Sequence, residues 1–368
     1  MSRSRVVVRS QIRRLATNSP NNFSPIVVGP GSLTRKAAGA AVYLGIMQNS
    51  APSIQQIANS IYGIDLTQQV LDRVHAHLLQ HPDAVGPALD TLSSELLAAR
   101  REQTPSAWAR TIELARRHPL CALLHQDPLT ARAFAMSRGY QGDAELLDII
   151  YDRDYRRCWP VPVTPLGDAI FRYIIDCQAP SAVRERRSFL ASEIDHVCKA
   201  NPSAEILSAA CGHCRELELS EAIRTRAFGR FVGLDQDGET LDHLQRTWGS
   251  HGVEPMAASV TTFLLNPRPL PQFDLVYSAG LYDYLEPGVA GLVTHKLIEM
   301  VKPGGRLLIG NYTSNTRDAG YMEAFMGWQL VYRDAGVMQR LAEHRRVARA
   351  SIVHDTTGAV IYLDAQVE

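Results

Sequence analysis

Glu205-Ile206-Leu207-Ser208-Ala209-Ala210-Cys211-Gly212-His213-Cys214-Arg215-Glu216 is the stretch on which the fold turns. Its first six residues form a short, mostly apolar run that reads as a strand buried on both faces. The small residues after it let a ligand approach the backbone closely, beside the N-terminus of a helix expected over 216–226. A second strand, Arg230-Phe231-Val232-Gly233-Leu234-Asp235, ends in an acid 23 residues after Gly212. A carboxylate placed there suits both hydroxyls of a ribose, although alone it is as readily a helix cap.

Outward from this pair the alternation continues. A helix is expected over 239–249, a strand over 273–278, a helix over 288–300 and a strand over 306–311. The chain then closes with strands over 348–354 and 359–366 around Asp355-Thr356-Thr357-Gly358, a hairpin that adds an antiparallel edge. Strands alternating with helices at this spacing predict an α/β parallel sheet covered on both faces.

Upstream, from Ser32 to Asp154, the apolar residues recur at helical spacing, as in Ile54, Ile57, Ile61, Leu66, Val70, Leu71 and Val74. Pro82, Pro87, Pro105, Pro119 and Pro128 punctuate the pattern. Trp159-Pro160-Val161-Pro162-Val163-Thr164-Pro165 is restrained to extended geometry and reads as a boundary. Helices over 167–177 and 181–199 follow, the second opening on Arg184, Arg186 and Arg187. The expected layout is a basic arm over 1–26, an all-α domain or cap over 27–165, and a sheet-bearing domain over 166–368.

Composition narrows the function classes. The 368 residues carry 38 basic and 38 acidic side chains, and a neutral chain is a poor partner for nucleic acid. The apolar run Ala37–Met47 is broken by Gly39 and Gly45 and falls short of the roughly 20 residues a membrane span needs. No acid precedes Asp65, so the Arg-bearing start has the composition of a transit peptide or of a docking arm; the arm is the expectation. Six cysteines form no dense disulfide framework, which makes a reducing cytoplasm the expected compartment. The expected partners are a small-molecule substrate and, in a homodimer, a second copy of the chain.

Lys302-Pro303-Gly304-Gly305-Arg306-Leu307-Leu308-Ile309 reads as helix end, tight turn and strand, one strand after Phe273-Asp274-Leu275-Val276. With the two strand ends above, the chain from about Asn201 to Glu368 resembles the class I S-adenosylmethionine-dependent methyltransferases. The resemblance implies a Rossmann-like seven-stranded sheet with a C-terminal antiparallel hairpin, and S-adenosyl-L-methionine as cofactor. It places Asp235 on the ribose with Gln236 beside it, and Ser208, Ala210, Cys211 and Gly212 along the methionine part. Ser259 and Val260 fall at the adenine, and Ser278, Ala279 and Gly280 along the cleft. Two departures stand out: Ser208 replaces the family's usual acid, and Ala210 and Cys214 replace two of its usual glycines. Arg187 or Arg184 is then a candidate clamp for the tail carboxylate, since a guanidinium makes two parallel bonds to it.

Gly280-Leu281-Tyr282-Asp283-Tyr284-Leu285 and Ala182-Val183-Arg184-Glu185-Arg186-Arg187 narrow the likeness. They resemble the subgroup named for 3-hydroxypalmitic acid methyl ester biosynthesis, which implies methylation of a fatty-acid carboxyl. A second likeness is to the methyltransferase-like enzymes that cyclise S-adenosylmethionine to azetidine-2-carboxylate, and no residue signature separates the two. A third reading is a cofactor-binding regulator without chemistry.

A carboxylate acceptor is ionised at neutral pH and needs no base. Aromatic faces stabilise a sulfonium as they do an ammonium, which makes Tyr282, Tyr312 and Tyr173 candidate catalytic residues. For cyclisation, Asn311 or Asp283 would receive the proton contacts of the cofactor's amine. His213 is expected to be a helix N-terminal residue without a catalytic role. Cys211-Gly212-His213-Cys214 on its own reads as a redox dithiol, but a thioredoxin-like domain would not carry the ribose-type acid and the Lys-Pro-Gly-Gly turn at these offsets. No metal site is expected.

Overall fold

The computed structural model describes residues 54–265 and 271–368, with side chains from Thr67 onward. The arm expected over 1–26, the start of the helical segment and the side chains of Ile54, Ile57, Ile61 and Leu66 lie outside the described residues. From Ile57 to Glu368 the chain forms one compact unit, in which the helical segment and the sheet pack together.

The helical segment comprises α1 (Ile54–Gln80), α2 (Val85–Glu102), α3 (Pro105–Arg117), α4 (Pro119–Leu124), α5 (Pro128–Ala135) and α6 (Ala144–Asp152). Several of its prolines are helix starts. Pro105, Pro119 and Pro128 occupy first-turn positions, where the missing N–H costs nothing. Thr104 and Asp127 cap the freed N–H groups, and Asp143 does the same for α6. Next come α7 (Pro165–Ile174) and α8 (Gln178–Ala200).

The sheet-bearing part follows as β1 (Glu205–Ala209), α9 (Glu221–Thr225), β2 (Arg230–Asp235), α10 (Gly238–Trp248), β3 (Val253–Ala257), α11 (Val260–Leu265), β4 (Phe273–Ser278), α12 (Pro287–Glu299), β5 (Val301–Tyr312), α13 (Ala319–Phe325), α14 (Ala335–Leu341), β6 (Val347–His354) and β7 (Val360–Val367). The order across the sheet is β3-β2-β1-β4-β5-β7-β6. All pairings through β5 are parallel, and β7 runs antiparallel to both β5 and β6. This is the seven-stranded sheet with a C-terminal antiparallel hairpin that the resemblance implies. The antiparallel strand is not the edge itself: the crossover after β5 sets β6 one place out, and β7 returns into the gap.

Alternate residues of the central strands enter two cores. Ile206, Phe231, Leu275 and Tyr277 face the helical side, whereas Leu207, Val232, Val276 and Leu307 face the other. β3 breaks the expected pattern because it carries Pro255 and exposed positions, which an edge strand tolerates. The expected helix over 216–226 is split into a single 3-10 turn at Arg215–Glu218 and the short α9. Asp195 of α8 receives N–H groups of Glu221 and Ala222 there. The Lys-Pro-Gly-Gly turn is a bulge inside β5: Val301 pairs with Phe273 and Arg306 with Leu275, with left-handed Gly304 between. Lys302 ties the bulge down through Asp274 and Glu205, at 2.8 and 2.7 Å.

Between β5 and β6 the short helix α13 is buried along its whole length against α2 and α3. Glu323 accepts from Arg100 Nε at 2.7 Å and from Trp108 Nε1 at 2.6 Å, while Arg116 donates to the carbonyls of Glu323 and Ala324. The connection that follows β5 is thereby fastened to the helical segment. No helix among the described residues is long and apolar enough to cross a membrane.

Candidate active site

The loop between β1 and the 3-10 turn is unusually bent. Ala210, Gly212 and Cys214 all have left-handed backbone, at φ of 56°, 54° and 49°. For Ala210 and Cys214 this costs on the order of 1–3 kcal/mol each, so the surroundings must hold the loop in place. Asp235 supplies much of that hold. Its Oδ2 accepts from Gly212 N at 3.0 Å, and its Oδ1 from Gln236 N at 2.7 Å and Asp237 N at 3.1 Å. A carboxylate has about four acceptor positions, so one remains on Oδ2.

Above the C-terminal ends of β1, β2 and β4 lies a cavity of about 500 Å³, within the range of small-molecule sites. Ser208, Ala210, Cys211, Gly212, Asp235 and Gln236 line its floor. Ser259, Val260 and Phe263, after β3, and Ala279, Gly280, Asp283 and Tyr312, at the ends of β4 and β5, line the cavity as well. The roof is mostly apolar and comes from the helical segment, α7 and the α13 region, with Tyr140, Ile174, Tyr321, Met322 and Trp328.

Several residues expected at the site sit elsewhere. Ser278 does not line the cavity; it is buried and donates to Ala209 O at 2.9 Å, locking β4 to β1. Tyr282 is fully buried beneath the cavity, its hydroxyl 2.8 Å from that of Thr294. Asn311 points away, donating to Val331 O and accepting from Arg333. Tyr173 lies outside the lining and donates to Asp90 at 2.6 Å. Tyr312 stays on the cavity wall, but its hydroxyl is spent on Ala179 O at 2.9 Å.

The arginine cluster resolves in a way the sequence reading did not expect. Arg187 turns to Arg215 O and Glu218, and Arg184 to Ile175 O and Asp176. Arg186, between them, is 7% exposed and lines the cavity. It donates to Ala279 O at 2.7 Å and lies 3.4 Å from the Tyr151 hydroxyl, with no carboxylate partner among the described residues. The signal was in the sequence: Val183, Arg186, Leu190 and Ile194 fall on one helix stripe, and all four are buried.

Two further groups define the electrostatics. Asp283 is 3% exposed; its Oδ1 accepts from Tyr312 N at 2.8 Å, and nothing among the described residues bonds its Oδ2. Burial pushes its carboxyl up to about 7, outweighing the Tyr312 N–H and the fields of Arg186 and Arg333. His213 is buried with Nδ1 2.8 Å from Asp148 and its ring stacked 3.8 Å from His243. Burial would raise Asp148, but its bonds to His213 and Arg215 outweigh that and hold it below the usual carboxylate range.

The Cys211–Cys214 pair does not have the electrostatics of a reactive dithiol. The hydrogen bond from Cys214 favours the Cys211 thiolate, yet burial and the nearby acids outweigh it, and Cys214 is pushed up by both its partner and burial. Reactive cysteines need the opposite shift. Among the described residues no cluster of three or more His, Cys, Asp or Glu could hold a metal ion.

No protein-family model matches the chain. No curated protein matches it either. Among solved structures it is similar to one described as a possible exported protein from Bordetella parapertussis, at 16% identity, over 87% of this chain and 99% of that one, with a TM-score of 0.51. That likeness takes in both the helical segment and the sheet. The chain is also similar to magnesium protoporphyrin IX methyltransferase from Synechocystis PCC 6803 with bound S-adenosylhomocysteine, at 12% identity, over 61% and 98% of the two chains, TM-score 0.40. N-methyltransferase NodS from Bradyrhizobium japonicum WM9, in complex with S-adenosyl-L-homocysteine, is similar at 14% identity, over 50% and 87%, TM-score 0.37.

Proposed function

We propose that the chain is an S-adenosylmethionine-dependent methyltransferase acting on a small molecule with an apolar body. The observation that carries this reading is the placement of Asp235 at the end of β2, on the floor of a cavity roofed by the helical segment. The lining suits the cofactor chemically. Asp235 keeps an acceptor position for ribose hydroxyls, Ser259, Val260 and Phe263 offer lining for a flat base, and Arg186 is a buried cation waiting for a carboxylate. When bound, S-adenosylmethionine supplies a methyl carbon activated by a sulfonium. This chain's residues then bind, orient and exclude water, the usual protein contribution to such a displacement.

The acceptor implied by the resemblance is a fatty-acid carboxylate, and the apolar roof would suit an acyl chain. Cyclisation of the cofactor is a second reading, favoured by the Ala210 and Cys214 departures in the loop that would run beside its tail. A regulator would bind the cofactor without turnover. The test is isothermal titration of S-adenosylmethionine into the wild-type chain and Asp235→Ala. Losing charge-assisted hydrogen bonds to ribose predicts about 10- to 100-fold weaker binding. Equal affinity in both would remove the ribose assignment, and no binding to the wild type would remove the cofactor.

A further inference from the structure

The cavity lining carries a group that a carboxylate acceptor does not need. Asp283 lies in the single turn Tyr282–Tyr284 after β4, and its Oδ1 is used to fasten that turn to β5 through Tyr312 N. Asp283 lines the cavity, and its Oδ2 has no partner among the described residues. Among the described residues no arginine forms an ion pair with it. Arg333, the nearest candidate from the segment after α13, spends its guanidinium on Tyr282 O, Leu285 O and Asn311. Arg186 of α8 is held by Ala279 O. A carboxyl oxygen without a protein donor, on a residue that lines the cavity, is free to accept from a bound molecule.

Resting on the methyltransferase reading, we infer that Asp283 accepts a proton from the group being methylated, so that the acceptor presents a hydroxyl or an amine at this point. This departs from the carboxylate acceptor that the resemblance implies. The step balances. The lone pair of the acceptor's oxygen or nitrogen forms the bond to the methyl carbon. The carbon–sulfur bond breaks with its electron pair to sulfur, leaving a neutral thioether, and the acceptor's proton passes to the Asp283 carboxylate. One positive charge on sulfur and one negative charge on Asp283 disappear together. A carboxylate acceptor would have no proton to give, and would approach a like charge once Asp283 ionised.

The groups that set the proton affinity of Asp283 come from several elements. Burial raises it, the backbone N–H of Tyr312 on β5 lowers it, and Arg186 of α8 and Arg333 lower it further; Tyr284 and Tyr332 are nearby and stay neutral. The balance leaves the carboxyl near 7, where a base can be free and still hold the proton it receives.

The experiment uses the full chain, wild type and Asp283→Asn. The amide keeps an oxygen for Tyr312 N, and cofactor titration at pH 8 checks that the site is intact. Each protein is incubated with S-adenosylmethionine alone and with matched acceptors that share one apolar body and end in a carboxylate, an alcohol, a phenol or an amine. Release of S-adenosylhomocysteine, or of 5′-methylthioadenosine, is followed from pH 5.5 to 9. The expected result is turnover of a protic member, rising with pH through about 7 in the wild type and falling by about 100-fold or more in Asp283→Asn, with cofactor affinity within about threefold. Methylation of the carboxylate member at a rate Asp283→Asn leaves unchanged would overturn the inference. So would cofactor binding without turnover of any member. Absence of cofactor binding to the wild type would overturn the methyltransferase reading itself, a separate and recognisable failure.

Discussion

Replacing Asp283 by Asn should make the protein more stable in mild alkali, although a polar partner of the backbone is being altered. The magnitude follows from the carboxyl's displacement from the usual 3.8 to about 7 by burial. The folded state holds that proton between about pH 4 and 7 while the unfolded chain gives it up, so the contribution of Asp283 is fully present below the unfolded value. It then declines as pH rises through the folded value. Roughly three units at 1.36 kcal/mol each amount to about 4 kcal/mol withdrawn at pH 8, against about 1.5 kcal/mol at pH 5. Asparagine cannot ionise and keeps an acceptor for Tyr312 N. The stability of the variant relative to wild type should therefore improve by about 2–3 kcal/mol between pH 5 and pH 8. Urea unfolding of both proteins across that range measures the difference, and groups common to both cancel. A stability gap that does not change with pH would show that Asp283 titrates normally. The chemical support for its role as a proton acceptor near neutrality would go with it.

If Arg186 clamps the cofactor's carboxylate as proposed, Arg186→Met should weaken cofactor binding by about 100-fold, whereas Arg187→Met should leave it within about threefold. Titration calorimetry on both variants distinguishes the two neighbours, and an equal loss in each would undo the Arg186 assignment. Gly320→Ala should destabilise by about 1–3 kcal/mol in urea, since the added carbon would stand 2.7 Å from the Leu96 backbone where α13 crosses α2. A neutral result would mean that this crossing yields more easily than its spacing implies. Tyr282→Phe removes only a hydroxyl bonded to Thr294, so turnover should be retained within about twofold and stability should fall by about 1 kcal/mol. A large loss of turnover at unchanged stability would return Tyr282 to the reacting groups.

Much of the fold was legible because its signals are local. β1, β2 and β4 are short apolar runs ending in turn residues, and their strand periodicity needs no tertiary partner to be recognised. Asp235 was legible for the same reason: a strand end followed by a capped helix is written within a few residues. β3 escaped because Pro255 and its exposed positions deny it a strand pattern, and only pairing with β2 makes it one. The helices α13 and α14 escaped because they are short. α13 is apolar nearly all round, and its shape depends on α2 and α3 closing over it.

The chain by itself determined the order of β1, β2, β4, β5 and the closing hairpin, the position of Asp235 at a strand end, and the presence of a helical segment ahead of the sheet. Those follow from periodicity, capping and turn chemistry, which act over distances of a few residues. Which arginine of the cluster faces the cavity was decided by the tertiary structure, because successive helix residues point about 100° apart and packing selects the rotation. The same holds for the tyrosines: Tyr282 and Tyr284 are two residues apart, yet one is buried beneath the cavity and the other lines it. The proton affinity of Asp283 was decided there as well. Its carboxyl is ordinary in water, and burial in the fold pushes it up to about 7 against the opposing pull of the Tyr312 N–H on β5, Arg186 on α8 and Arg333.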